Sequence, residues 1–306
     1  MKLSTGKKIT LGLAAVLSIS LFAGCSKAAN SASNATDGKA IKFGHLTFQN
    51  DKGKEMAGLR RELATLILDN DYIIEGQEGY DNLVSMQMAL DSGKIDLLVC
   101  PDFVGDYLVK TNNKYKIAGT TLNSLTFYSM GFAESNTALR DKVNTALADL
   151  EKDGIIMDLT YRYILKQNPE TASVAFENFD GADTITVAVT GDMPPMDYIG
   201  ADGKASGFNT ALLSEVAKKL KVNVKIMNIE SAARSSAIAS GKADVVFWYE
   251  SPRGERAMNA NSTSSFEIPA EIKDFIDRKN KTLSIDGVIF SNSYFQSPNK
   301  YWIAVK

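Results

Sequence analysis

The sequence predicts an α/β protein whose sheets are covered by helices on both faces. Three observations predict it: alternating strand and helix patterns, continuous apolar runs such as IDLLV, and a junction that occurs twice. That junction is ALDSGKIDLLV at residues 89–99 and AIASGKADVVF at 237–247, a helix end, a glycine turn and a buried strand in the same register. A chain of 306 residues with 44% hydrophobic and 23% charged content can bury a real core, in one or two domains.

The elements follow in order. IKFGHLTF reads as a strand, and Met56, Leu59, Leu63, Leu66 and Ile67 recur at helical spacing. YIIEG is the next strand, and a helix through SMQMALDS is closed by Gly93, where a left-handed cap costs glycine little. IDLLV has no polar face, the mark of a strand covered on both sides. FVGDYLV suggests a short helix, LTFYSMGFA a strand, and Leu139, Val143, Ala146 and Leu150 the stripe of a longer helix stopped by Gly154. IMDLTYRYIL completes the first half. QNPETAS and FDGAD interrupt the pattern, so residues 168–182 are expected to link a unit at 41–167 to one at 183–306. The second unit repeats the grammar: TITVAV is a strand, Asn209 caps a helix with Leu212, Val216 and Leu220 on one face, and VNVKIMN is a strand. AARSSAIAS is then a helix stopped by Gly241, and ADVVFWYE a buried strand. Parallel sheets are expected in both units, with binding groups at the carboxyl ends of strands.

Residues 1–24 have the pattern of an export signal: Lys2, Lys7 and Lys8 precede an apolar run, with no acidic residue. The run is short for a membrane span. Residues 25–40 are small and polar, which predicts a flexible tether. Taking three lysines and no acids from 34 basic and 36 acidic residues leaves 31 against 36, a net of about −5. That balance, without a basic stripe, argues against a nucleic-acid partner. One histidine, His45, excludes a His-rich metal site and disfavours a His-based triad. Cys100 lies in the apolar run LLVC and is expected to be a core residue. The sequence carries no P-loop, CxxC or GxGxxG, and neither a cofactor nor a metal is expected.

Several motifs carry a family resemblance. LFAGC resembles the bacterial lipobox, which implies lipidation of Cys25 and a membrane-anchored, extracytoplasmic protein. ITVAVTGDMPPMDYIGADGKASGFNTALL, ASGKADVVF, RGER and FSNSY resemble the first lobe of the family 3 bacterial solute-binding proteins, receptors of polar amino acid ABC transporters. ALDSGKIDLLV and YSMGFAESNTALRDKVNTALADLEKDGIIMDLTYRYI resemble the other lobe and the family's C-terminal helices, and residues 257–287 stand as an insertion. The resemblance implies a two-lobed periplasmic-binding-protein-like (type II) fold. The lobes stand in reverse order, which implies circular permutation; two incomplete domains in tandem are the alternative.

The resemblance also implies a site. Arg256 falls where the family's carboxylate-binding arginine lies, and Arg253 nearby offers the same forked donor. Trp248, Tyr249 and Ser251 fall at ligand-contacting positions, as do Thr190, Asp192 and Met193 on the turn after the opening strand. In the other lobe the choices are Thr47 and Asp102. The family's amino-binding aspartate corresponds to Pro101, and its Gly-Thr loop has Leu46 in place of glycine, so an ordinary α-amino acid fits poorly. Arg234, on a helix, is expected to be solvated. The implied function is capture of a small polar ligand, amino-acid-like, for an ABC permease. A sensory or structural lipoprotein with a degenerate cleft and a dehydratase-like enzyme are the competing classes; no acid/base pair supports the enzyme.

Overall fold

The computed structural model describes residues 39–46, 66–68, 72–121, 126–167, 174–200, 202–249, 251 and 285–306. The signal, Cys25 and the tether up to residue 38 lie outside these residues, as do Thr47, Met56, Leu59 and Leu63 of the expected helix, Arg253, Arg256 and nearly all of the insertion; Lys39 and Ala40, the expected end of the tether, are strand instead.

Two six-member groupings of strands organise the chain. The first sheet has the order β2-β5-β15-β4-β1-β3, formed by β1 (Lys39–Leu46), β2 (Leu66–Leu68), β3 (Tyr72–Tyr80), β4 (Leu97–Pro101), β5 (Tyr115–Thr121) and β15 (Lys300–Val305). The second has the order β11-β7-β12-β6-β13, with β14 also paired to β6. Its members are β6 (Thr126–Ala133), β7 (Thr184–Val189), β11 (Asn223–Asn228), β12 (Val245–Tyr249), β13 (Val288–Phe290) and β14 (Phe295–Ser297). A small three-stranded sheet of β8 (Asp192–Met193), β9 (Asp197–Ile199) and β10 (Ala205–Ser206) follows β7; the lobe built on each large sheet takes that sheet's number here, the reverse of the family's order.

The expected all-parallel sheets need correction. β1 runs parallel to β3 and β4, but β15 is antiparallel to β4 and β5; β7 runs parallel to β11 and β12, but β6 is antiparallel to β12 and β13. In each sheet the antiparallel strand set between parallel neighbours comes from the other half of the chain, and the edge strand β2 of the first sheet is antiparallel as well. β6 pairs with strands of the second sheet and β15 with those of the first, so each sheet draws strands from both halves of the chain. The Leu66–Ile67 end of the expected helix is instead strand β2, paired to β5, because three apolar residues can complete a sheet edge as readily as a helix face.

Helices cover the sheets. In the first lobe, α1 (Leu83–Asp91) is capped by the Asn82 side chain on Ser85 N at 2.8 Å and buries Leu83, Met86, Ala89 and Leu90. α2 (Asp102–Thr111) follows β4 directly. In the second lobe, α3 (Thr137–Lys152) buries Val143, Ala146, Leu147 and Leu150, and α4 (Ile155–Leu159) continues into a π-helical turn at Thr160–Leu165. α5 (Phe208–Leu220) packs against α3 and α4, and α6 (Arg234–Ala239) ends before Gly241. Both junctions of the repeat are present, with Gly93 at φ 73° and Gly241 at φ 69°, where glycine avoids a Cβ penalty.

Candidate functional site

The turn that resembles the family's ligand loop is held by a buried polar network. β7 delivers Thr190 and Gly191 to the turn, and the β8–β9 hairpin brings Asp197 back beneath it through the pairs Asp192↔Tyr198 and Met193↔Asp197. Asp197 Oδ1 accepts from Gly191 N at 3.0 Å and Thr190 Oγ1 at 3.3 Å; Oδ2 accepts from Asn209 Nδ2 at 3.1 Å. Asn209 Oδ1 in turn accepts from Tyr294 Oη at 2.9 Å. Arg234 is 3% exposed, and its charge acts on Asp197, which is 2% exposed. Burial pushes the Asp197 carboxyl above the usual range; Gly191 N–H, Arg234 and Asn209 pull against that push. Such a network fixes the turn relative to α5 and β14's approach loop, since each buried polar group finds a partner.

Two expectations change here. Asn209 is no cap: α5 begins after Gly207, and Asn209 is the helix's second residue with its side chain inside the network. Arg234 is buried rather than solvated, because Asp197 lies across from its helix. Asp197 and Tyr294 are not among the expected site residues; for Asp197 the signal in the sequence is a carboxylate among the apolar residues of PPMDYI.

The predicted residues divide. Thr190, Asp192 and Met193 meet on one turn, with the Thr190 hydroxyl engaged by Asp197 and Met193 buried. Met193 joins Leu83 and Met86 of α1 in one apolar cluster, and α1 packs against β8, so the turn meets the opposite lobe. Trp248 and Tyr249 lie on β12 opposite Ser129 and Tyr128 of β6. Ser251 is fully buried: its N–H and hydroxyl donate to Phe127 O at 3.0 and 3.1 Å, and its Oγ lies 2.8 Å from Ser129 Oγ. That hydroxyl ties the loop to the crossing strand. Among the described residues no His, Cys, Asp and Glu cluster of three or more could hold a metal ion.

Asp102 stands where the lobes join. Its Oδ1 accepts from Ser297 Oγ at 2.7 Å and from Phe103 N at 2.8 Å, and its N–H donates to Asn299 O. β6 and β14 present the rungs Thr126↔Ser297 and Tyr128↔Phe295, and paired residues of an antiparallel ribbon share a face. Phe103 packs on that face, 5.7 Å from Tyr128 and 5.4 Å from Phe295 between ring centroids, and Phe208 lies 5.5 Å from Phe295. Aromatic rings thus fill the base of the region between the lobes.

Burial raises the Asp102 carboxyl, against its hydrogen bonds from Ser297, Phe103 and Asn299. A raised folded value favours the neutral acid in the fold. Its share of stability is therefore complete below the unfolded value near about 3.9 and is lost as pH rises through the folded value. Asp102→Asn should flatten that segment of the curve, seen as a urea midpoint that falls less from about pH 3 to about pH 7 than in the native chain.

Comparison with known proteins adds to this geometry. Residues 185–280 match the family model of bacterial extracellular solute-binding proteins, family 3. No curated protein matches the sequence. Similar solved structures include a Staphylococcus aureus ligand-binding component of an ABC-type import system with zinc bound, at TM-score 0.41 and 9% identity, covering 87% of this chain and 66% of that one. The aliphatic sulphonate binding protein SsuA of Escherichia coli follows at TM-score 0.38 and 11% identity, covering 87% and 65%. A putative L-cystine ABC transporter protein of Listeria monocytogenes has TM-score 0.36 and 10% identity, covering 88% and 83%. This chain spans just under two thirds of the length of the first two.

Proposed function

From the match of residues 185–280 to the family 3 solute-binding proteins, we propose that this chain is an extracytoplasmic binding lipoprotein. It captures a small polar, amino-acid-like ligand between two lobes and presents it to an ABC permease, held to the membrane through Cys25. The observation that carries the reading is the family match over the lobe that contains the Thr190–Asp197 turn and β12. The exchange of β6 and β15 supports it, since two crossings form a hinge about which two lobes can close. Capture needs no covalent step, so the protein acts as a binder rather than an enzyme.

Arg256 supplies the carboxylate fork in this reading, with Arg253 beside it, Trp248 and Tyr249 as walls, and Thr47 from the facing lobe. Calorimetric titration of the native chain and Arg256→Ala with amino acids, small polyamines and anions tests it. Binding by the native chain and at least roughly tenfold weaker binding by the variant is expected. Unchanged affinity would remove Arg256 from the site.

The strand order also supports a circular permutation. Reading β7 to β15 and then β1 to β6 gives both sheets the same pattern, and the end of β15 and start of β1 lie at the same end of the sheet with β4 alone between their strands, about 10 Å across the sheet. A rewired chain that joins β15 to β1 and starts near residue 174 should fold with a thermal midpoint within about 5 °C of the native one. Failure to fold would count against it.

A second reading has its own support. The hydroxyls of Ser251 and Thr190 are engaged internally, and aromatic side chains pack between the lobes. A sensory or structural lipoprotein with a degenerate cleft fits those contacts, and an absence of binding by any compound would favour it.

A further inference from the structure

We propose that α2 is a latch that holds the two lobes together through one of its faces, formed by Phe103, Tyr107 and Lys110. These residues stand at i, i+4 and i+7, which places them on one side of a helix. The helix itself belongs to the first lobe: Phe103, Val104 and Leu108 are buried, it packs on β4, β5 and β15, and a Cβ on Gly105 would lie 2.8 Å from the Tyr301 ring. The latch face turns instead to the second lobe.

Its three contacts are chemically different. At the start of the helix, Phe103 packs against Tyr128 and Phe295, which lie on strands of the second sheet. In the middle, Tyr107 faces Tyr198 of β9; burial first, and then the Tyr198 phenol, push the Tyr107 phenol up. At the end, Lys110 Nζ donates to Lys166 O at 2.6 Å and Gln167 O at 3.0 Å, where the π-helical turn of the second lobe stops. A cation is favoured there because the last carbonyls of a helix have no partner within it. The contact is reciprocated: Gln167, 5% exposed, donates from Nε2 to Phe103 O at 2.8 Å. Gln167 holds φ 45°, a left-handed conformation that a non-glycine residue keeps only when its surroundings impose it.

The two lobes of a hinged binder exchange between open and closed arrangements, and a ligand shifts them only by its differential affinity. Latch contacts made by the protein's own groups bias the pair toward closure before any ligand contributes. In this proposal opening frees Lys110 from two carbonyls, while Phe103 packs beside the β14–β15 crossing and stiffens it.

The test uses the full mature chain in a Cys25→Ser background, spin-labelled through Ser92→Cys on the first lobe and Lys221→Cys on the second; Cys100 is buried and stays unlabelled. Pulsed dipolar spectroscopy, with no compound added, reads the separation of the labels. The native chain should give one narrow, short-distance population. Lys110→Met and, separately, Phe103→Leu should each raise the long-distance population roughly fivefold. Lys110 is exposed, so its variant keeps the fold even where Phe103→Leu does not. A broad distribution in the native chain, or a Lys110→Met distribution identical to it, overturns the latch. Because no ligand enters the measurement, its result is separate from that of the binding titration.

Discussion

Gly207→Ala should destabilise the second lobe by at least about 3 kcal/mol, read as a lowered urea midpoint. Gly207 sits at φ 103°, far from the conformations open to L side chains. An added Cβ would also lie 2.5 Å from Met196 O and 2.8 Å from Pro195 O, both backbone atoms that no rotamer change can move. The close approach has a cause. Phe208 N donates to Pro195 O at 2.9 Å and Asn209 N to Met196 O at 2.7 Å, so the Pro-Pro turn supplies acceptors for the unpaired first N–H groups of α5. Separating the two to admit a methyl group breaks both bonds and moves the turn that carries Asp192 and Met193. A loss under about 1 kcal/mol would mean that the turn and helix are not docked in this way.

Asp197→Ala is the second large effect, about 3–5 kcal/mol. The carboxylate accepts from Gly191 N, Thr190 Oγ1 and Asn209 Nδ2, and it faces the charge of Arg234. Truncation removes the acceptor used by Gly191 N, Thr190 Oγ1 and Asn209 Nδ2 and the carboxylate that the Arg234 charge acts on, and lost acceptors in a buried network cost more than an exposed bond. A gradation along the network is expected. Asp197→Asn keeps one carbonyl acceptor and should lose less, and Tyr294→Phe, which removes only the hydroxyl on Asn209, should lose about 1 kcal/mol. Denaturant unfolding of the three variants orders them; equal losses would show that Tyr294 and Asp197 do not share one network.

Much of the architecture is legible in the sequence because it is local. The ALDSGKIDLLV and AIASGKADVVF junctions each encode a helix end, a glycine turn and a buried strand within eleven positions, and both form. The exchange of β6 and β15 is not local. TFYSMGFA and KYWIAV read as strands from their own residues, but nothing in them states which sheet each will join. The same limit explains Arg234 and Asn209. Helical spacing suggests an exposed arginine and a helix cap, whereas Asp197, which acts on both, arrives from a hairpin earlier in the chain. The Leu66–Leu68 strand shows the reverse failure, a helical spacing of apolar residues overruled by an open sheet edge beside β5. At the candidate site, motif resemblance singles out the turn at Thr190–Met193 and the end of β12, and it carries no sign that the hydroxyls of Ser251 and Thr190 are engaged by the protein itself.

The most direct test of the proposed function is a thermal-shift measurement on the mature chain against amino acids, polyamines and small anions. A ligand bound only by the folded protein adds RT ln(1 + [L]/Kd), about 2.7 kcal/mol at a hundredfold excess over Kd. The proposal expects a saturable rise of the midpoint with one chemical class, abolished in Arg256→Ala. A midpoint unmoved by every compound, in a chain that unfolds cooperatively, would contradict capture and leave the lobes as a structural or sensory body.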